Sequence, residues 1–101
     1  MEPEIEMIGY GHCRVGNIEL TVERVDEVFV NRLVQECKNY PARIFIYSGE
    51  SFSERIDAKR RREVLGFGLK QGDKLHLYIE RTDMRDSNRM ALKLYELFTK
   101  S

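Results

Sequence analysis

The spacing of hydrophobic residues along this chain changes near residue 26, where a partly alternating pattern gives way to a helical one. Residues 7–15 and 18–23 alternate in part, and residues 16–17, Gly-Asn, tolerate positive φ, so this pattern predicts a hairpin with its turn there. From Asp26 onward, apolar residues recur at intervals of three and four. They predict a helix that ends before Pro41 and buries one face, formed by Phe29, Val30, Leu33, Val34 and Cys37.

Three shorter segments are predicted to be strands. Residues 42–48 are rich in β-formers and too short for a convincing helix, and residues 52–56 follow a turn as a candidate partner strand. The third strand covers residues 74–79, where alternation places Leu75, Leu77 and Ile79 on one face.

Two more helices are predicted in the second half of the chain. Asp57 is expected to cap a short helix that Gly66 and Gly68 terminate. Asp83 is expected to cap a last helix over residues 84–100, whose apolar stripe consists of Met90, Ala91, Leu94, Leu97 and Phe98.

The order of these elements is β-α-β-β-α-β-α, and the strands that are apolar on one side accompany three amphipathic helices. Such a pattern favours an α+β fold, with a four-stranded antiparallel sheet, three helices on one face and an open second face. Residues 1–16 look like an extension added to a complete domain over residues 17–101. This extension is a candidate for an extra strand.

Composition narrows the class of protein. A chain of 101 residues can form one compact core, and its 17 basic and 17 acidic side chains cancel, so no global field attracts nucleic acid or a membrane. Cys13 and Cys37 are too few for a disulfide framework or a four-ligand zinc site, so neither metal nor cofactor is expected. The residues show no pattern of a secretory leader and no long apolar run, so a cytoplasmic location is expected.

Two longer stretches carry a family resemblance. Residues 56–80, IDAKRRREVLGFGLKQGDKLHLYIE, resemble the second half of the histidine-containing phosphocarrier protein HPr, and residues 31–49, NRLVQECKNYPARIFIYSG, resemble the end of that family's first helix and its next strand. The resemblance implies the HPr-like open-faced β-sandwich. It also implies a relation to the phosphoenolpyruvate-dependent sugar phosphotransferase system, in which the family passes a phosphoryl group from an upstream enzyme to sugar transporters.

The resemblance fails at the residue that carries the phosphoryl group. In the family this residue is a histidine that opens the first helix in a His-Ala-Arg-Pro motif, and Asp26 stands at its position here. His12 and His76 are both too distant to replace it, and Arg60 stands where Gram-positive members carry a regulatory serine. The chain is therefore similar to HPr-like members that lack the phosphorylated histidine.

Asp26 has two interpretations. As a helix N-cap, its carboxylate accepts a backbone N–H, while Val25 and Val30 have the spacing of a hydrophobic staple and Glu27 adds negative charge at the positive end of the helix dipole. The alternative is a phosphate-accepting aspartate, or an acid that imitates phosphohistidine to a partner. The cap is favoured because two carboxylates would disfavour an incoming phosphate.

A run of four cations, Lys59, Arg60, Arg61 and Arg62, opens the predicted second helix. Such a run is either a solvated helix face or a docking patch for acidic protein surface or phosphates, with nucleic acid the weaker option. We call these four residues the basic run. In the HPr family the corresponding helix and the start of the first helix form the surface that partners recognise, so Phe67 and Glu27 are also predicted to bind a partner.

Alternation predicts that Phe45, Tyr47, His76 and Tyr78 point to the open side of the sheet. Exposed apolar surface of this kind marks an interface, so either the extension folds over it or a homodimer or partner covers it. His12 and Cys13 are neighbours on a strand and are expected on opposite faces, which argues against a Cys–His enzyme.

Together these observations predict a non-catalytic, HPr-like adaptor or regulatory protein that binds an unidentified protein partner. A phosphocarrier with a displaced acceptor, at Asp26 or His12, is the first alternative. The second is a module that binds phosphate-rich ligands through the basic run.

Overall fold

The computed structural model describes residues 4–9, 11–49, 51–80 and 84–100, which form an α+β fold built on one antiparallel sheet. The strands stand in the order β1-β2-β5-β3-β4. Their bounds are β1 Glu4–Gly9, β2 His12–Glu19, β3 Arg43–Ser48, β4 Ile56–Asp57 and β5 Lys74–Glu80. The described sheet therefore has five strands instead of the predicted four, because β1 joins the edge beside β2.

The helices are α1 Glu27–Lys38, α2 Arg61–Phe67 and α3 Met84–Thr99. They lie on one face of the sheet, and the core is formed between their apolar faces and the inward residues of the strands. No helix in the described part of the chain has both the length and the apolar character needed to cross a membrane. The α1 face is buried as predicted, through Phe29, Val30, Leu33, Val34 and Cys37.

The predicted hairpin turn at residues 16–17 is wrong, because β2 runs straight through it. Val15 and Ile18 of β2 pair with Leu77 and Leu75 of β5, so three steps along β2 match two steps along β5. This is a β-bulge, in which one extra residue is inserted into one strand of an antiparallel pair. The hairpin turn lies earlier, between β1 and β2.

The bulge depends on the tolerance of positive φ that also led to the prediction of a turn at residues 16–17. Asn17 has a φ of 57° and takes up the extra residue. Because the bulge resets the alternation, Cys13 before it and Leu20 after it both face the core. The predicted boundary between residues 16 and 17 lies inside β2, and the division into an extension and a domain stays a prediction.

The strand predicted over residues 52–56 is also wrong in most of its length. Phe52–Glu54 forms a single turn of 3₁₀-helix, and only Ile56 and Asp57 pair with β3. The ring of Phe52 packs edge-on against the ring of Tyr47, with centroids 5.3 Å apart, and this contact draws the segment away from an extended path.

The α2 helix begins later than predicted. Asp57 Oδ1 accepts a hydrogen bond from the backbone N of Lys59, at 2.9 Å, and so forms a local turn instead of a helix cap. Arg60 is the residue at the N-cap position, without a side-chain cap bond. The helix ends as predicted at Gly68, which adopts the left-handed conformation with a φ of 74°.

The last helix occupies the predicted region, although its predicted cap, Asp83, lies outside the described residues. Met90, Ala91, Leu94 and Phe98 are buried, and Leu97 is half-buried. The carbonyl of Phe98 accepts hydrogen bonds from the N–H groups of Thr21 and Val22, at 2.9 and 3.2 Å. These bonds tie the end of α3 to the segment that leads into α1.

Two glycines of α2 are expected to respond in opposite directions to alanine. Gly66 lies within the helix and a Cβ there would meet no atom within 4 Å, so Gly66→Ala is expected to stabilise the protein by about 0.5–1 kcal/mol. Gly68 has positive φ, so Gly68→Ala is expected to destabilise it by about 1 kcal/mol. Urea unfolding of both variants measures the difference, and changes of the same sign would contradict the helix end described here.

Candidate functional site

Asp26 stands at the start of α1 and is its N-cap. Its backbone is extended, and Oδ1 accepts a hydrogen bond from the backbone N of Phe29 at 3.1 Å. The predicted cap is therefore confirmed. Because the carboxylate already binds one of the unpaired N–H groups of the first turn, that group is not available to an added anion.

A small hollow of about 260 Å³ lies beside this cap. Arg24, Arg32 and Lys100 line it together with Asp26 and Glu23. Arg24 Nε is 4.0 Å from Asp26 Oδ2, so one cation already faces the carboxylate. This group was not predicted, because its three cations come from separate segments that only the fold brings together.

The basic run divides into two pairs with different roles, and the first pair contacts the protein itself. Lys59 Nζ donates a hydrogen bond to the carbonyl of Tyr40 at 2.6 Å. Arg61 Nε donates to Asn31 Oδ1 at 2.7 Å, and its Nη2 lies 3.6 Å from Glu27 Oε2. Arg61 therefore joins α2 to α1, and it pairs with Glu27, another residue that was predicted to bind a partner.

The second pair of the basic run points to solvent. Arg60 Nε is 3.6 Å from both Asp57 Oδ2 and Glu63 Oε2, and its side chain stays largely exposed. Arg62 is exposed and forms no ion pair with any residue that the structure describes. These two arginines are the members of the run that a partner can reach most directly.

Two exposed apolar residues near the basic run were not predicted. Val28 on α1 is 66% exposed and Leu65 on α2 is 37% exposed. Val28 lies three residues before Asn31 and Leu65 lies four residues after Arg61, so each is one helical turn from the bond that joins the helices. Phe67, by contrast, is half-buried against the core.

On the open face of the sheet, strand pairing arranges side chains in two parallel rows. The first, which we call the arginine row, runs across the strands through Glu6, Arg14, Tyr78 and Phe45. The second, which we call the glycine row, runs through Glu4, Gly16, His76 and Tyr47. The four aromatic residues that were predicted to point to this side all do so.

The rings of the open face contact one another. Tyr47 and His76 are stacked, with centroids 5.2 Å apart and planes at 23°. Phe52 packs edge-on against Tyr47 and also against Tyr78, whose centroid is 5.0 Å away. These contacts leave Tyr47 buried, although no α-helix in the described ranges covers this side of the sheet.

Cations and the 3₁₀ turn cover the open face, and the described residues of the N-terminal extension, 4–9 and 11–16, do not fold over it. Arg43 and Arg55 lie over the ring of Phe45, 5.1 and 5.2 Å from its centroid, and Arg55 lies 4.5 Å from that of Phe52. The extension instead continues the sheet sideways as β1. Tyr10, which belongs to the extension, lies outside the described residues.

His12 and Cys13 lie on opposite faces of β2, as predicted. The ring of His12 is 5.8 Å from that of Tyr78, whereas Cys13 is fully buried in the core. Burial raises the pKa of the Cys13 thiol, which disfavours the nucleophilic thiolate. Cys37 is buried as well, and burial raises its pKa to about 12, so it is a core residue as predicted.

Replacement of Asp26 tests the cap. Asp26→Ala removes the bond to the N–H of Phe29 and is expected to lower the free energy of unfolding by about 1 kcal/mol. Asp26→Asn retains a cap acceptor and serves as the control, with an expected loss of a few tenths of a kcal/mol. Urea unfolding compares the two variants, and equal losses would show that the bond does not stabilise α1.

His76 predicts a pH dependence of stability. Burial lowers its pKa, the charge of Arg14 lowers it further and Glu4 opposes them. The unfolded chain therefore binds this proton more readily than the folded one. Neutral His76 therefore contributes to the free energy of unfolding. This contribution is complete above about pH 6.5, the pKa in the unfolded chain, and is lost as the pH falls below that value towards the folded pKa.

The measurement compares urea unfolding of the wild type and His76→Phe at pH 7.5 and 5.5. The wild type is expected to lose more stability between these values than the variant, which keeps a ring but cannot take up the proton. The same loss in both proteins would rule out His76 as the source.

The sequence matches no protein-family profile and no curated protein. The structure is similar to that of HPr-C-His from Thermoanaerobacter tengcongensis, with a TM-score of 0.60 and 16% identity over 86% of this chain and 93% of that one. It is also similar to the phosphocarrier protein HPr from Bacillus anthracis str. Ames, with a TM-score of 0.56 and 18% identity over 80% and 92% of the two chains. The predicted resemblance is confirmed at the level of structure, and this chain has the HPr fold.

Proposed function

We propose that this protein is an HPr-like adaptor or regulatory module, related to the phosphoenolpyruvate-dependent sugar phosphotransferase system, that binds a protein partner without carrying phosphate. The observation that carries the proposal is the carboxylate of Asp26, which caps α1 through the N–H of Phe29. By the family resemblance, this position belongs to the phosphorylated histidine. An aspartate engaged as a cap supports binding without transfer.

The charges at the start of α1 support the same conclusion. Glu27 follows Asp26 directly and is exposed, so two carboxylates stand where a phosphoryl group would arrive. Like charges at this distance repel. His12, the alternative acceptor, lies on the side of the sheet opposite the helices, and a partner docked on α1 and α2 would not reach it.

We assign the binding to a surface formed by Val28, Arg60, Arg62 and Leu65, which we call the helix-side surface. Exposed apolar side chains flanked by arginines suit a partner with an apolar centre and an acidic rim. Lys59 and Arg61 contribute indirectly, because their bonds to Tyr40 and Asn31 hold the start of α2 in place.

The proposal is tested with the upstream enzyme that phosphorylates HPr. The protein is expected to bind this enzyme, to slow its phosphorylation of authentic HPr and to gain no phosphoryl group itself when phosphoenolpyruvate is supplied. Calorimetry measures the binding and mass spectrometry measures the transfer. A stable gain of a phosphoryl group would refute the adaptor function, and Asp26→Asn and His12→Ala would then locate the acceptor.

Matched variants identify the surface. Leu65→Ser and Arg62→Glu are each expected to weaken binding by about tenfold, the effect of a central contact at an interface. Leu92→Ser and Lys93→Glu make the same chemical changes at exposed positions of α3 and are expected to bind normally. Equal binding by all four variants would reject the helix-side surface.

A further inference from the structure

The open face of the sheet carries a groove on the side opposite the helix-side surface. Its volume is about 840 Å³. We call it the aromatic groove, because rings line one wall and carboxylates of β1 line the other: Tyr47, Phe52, His76 and Tyr78 face Glu4 and Glu6. A concave site with aromatic walls and a few polar groups has the properties of a ligand site.

The arginine row already contains one guanidinium group, that of Arg14, and its neighbours show which groups surround a guanidinium on this face. Arg14 contacts the carboxylate of Glu6 on one side and is paired across the strands with Tyr78 on the other. The order along the row is therefore carboxylate, guanidinium and aromatic ring. Arg55 and Arg43 repeat the contact between guanidinium and ring over Phe52 and Phe45.

The glycine row has the same order, but Gly16 stands where the arginine row has Arg14. A Cβ at Gly16 would lie 4.0 Å from Glu4 Oε2 and 3.2 Å from His76 Nδ1. Gly16 itself is buried, and the groove that it helps to line is bounded by a carboxylate on one side and by the stack of His76 and Tyr47 on the other.

Glu4 is the carboxylate of this groove that lacks a cation. Its Oε2 accepts a hydrogen bond from Asn17 Nδ2, whereas Glu6 has Arg14. No lysine or arginine in the described part of the chain forms an ion pair with Glu4.

The charge of the groove favours a cation. Two carboxylates, Glu4 and Glu6, face the single guanidinium of Arg14. Burial and the charge of Arg14 lower the pKa of His76, although Glu4 opposes the shift, so His76 adds no charge at neutral pH. The faces of aromatic rings carry partial negative charge and attract cations as well.

We propose that the aromatic groove binds an arginine side chain of a partner polypeptide, with its guanidinium in the groove beside Gly16, between Glu4 and the stacked rings of Tyr47 and His76. Arginine suits this place better than lysine because its planar group stacks on rings and pairs with a carboxylate through two N–H groups. A polypeptide suits it better than the free amino acid, whose own carboxylate would be repelled by Glu4 and Glu6.

The test is an NMR titration of the ¹⁵N-labelled protein with two capped tripeptides, Gly-Arg-Gly and Gly-citrulline-Gly. Citrulline has the shape of arginine without its charge. The arginine peptide is expected to bind and to shift the amide signals of Gly16, Tyr47 and His76. The citrulline peptide is expected to bind at least roughly tenfold more weakly, because it loses both the ion pair and the attraction to the rings.

Two variants locate the bound cation. Glu4→Gln is expected to weaken the arginine peptide roughly fivefold, while Glu96→Gln, the same change on α3, is expected to leave binding unchanged. Gly16→Arg supplies a guanidinium from the chain itself and is expected to abolish binding. This substitution requires the ring of His76 to move by a few tenths of an ångström, and Nδ1 of that ring has no hydrogen bond in the described structure to break.

Three results would overturn the proposal: equal affinity for the two peptides, unchanged affinity of Glu4→Gln, or no saturable binding up to about 10 mM peptide. Binding of free arginine as tight as that of the capped peptide would overturn the assignment to a polypeptide. A thermal melt checks that Gly16→Arg folds. If this variant does not fold, the affinity of Glu4→Gln for the arginine peptide tests the proposal instead. None of these outcomes depends on the helix-side surface, which lies on the other side of the sheet.

Discussion

The extra residue in β2 determines which side chains of that strand face the helices. With unbroken alternation, a strand that buries Cys13 and Val15 would also turn Asn17 and Glu19 towards the core. Burying an unpaired carboxylate costs far more than a bulge does. The bulge between Val15 and Ile18 resets the alternation, so that both halves of β2 contribute apolar side chains to one core and β2 stays paired with β5 along its length.

The same bulge shapes the other side of the sheet. Gly16 and Asn17 together oppose His76, which brings the buried glycine against the histidine ring and leaves the row without a side chain at this position. The two faces of the molecule consequently differ in chemistry. The helix side presents arginines around exposed aliphatic groups, whereas the open side presents rings beside carboxylates, and the packed core separates them.

Sequence patterns correctly predicted the elements that depend on interactions between residues close together in the chain. The cap at Asp26, the buried face of α1 and the β5 strand follow from neighbours within a few residues. The hairpin failed because Gly-Asn suits a bulge as well as a turn, and the pairing with β5, some sixty residues away, decides between them. The strand at Phe52 failed because its ring packs on Tyr47 and Tyr78 across the sheet.

The candidate sites likewise include residues that could be grouped from the sequence and residues that could not. Alternation correctly placed the rings of Phe45, Tyr47, His76 and Tyr78 on one face. It could not show that Arg61 binds Asn31, or that Arg24, Arg32 and Lys100 surround one hollow, because these residues meet only after the helices have packed. Side chains that share a strand can be grouped from sequence, whereas those that meet through packing cannot.

The two edges of the sheet are unequal. On one side β4 has only two residues, while on the other β1 offers six in an extended run. Strand pairing can therefore lengthen this sheet efficiently in one direction only. Two copies that met along β1 would each use up the long edge of the other, so self-association by this route would end at a closed pair and would not propagate into a fibre.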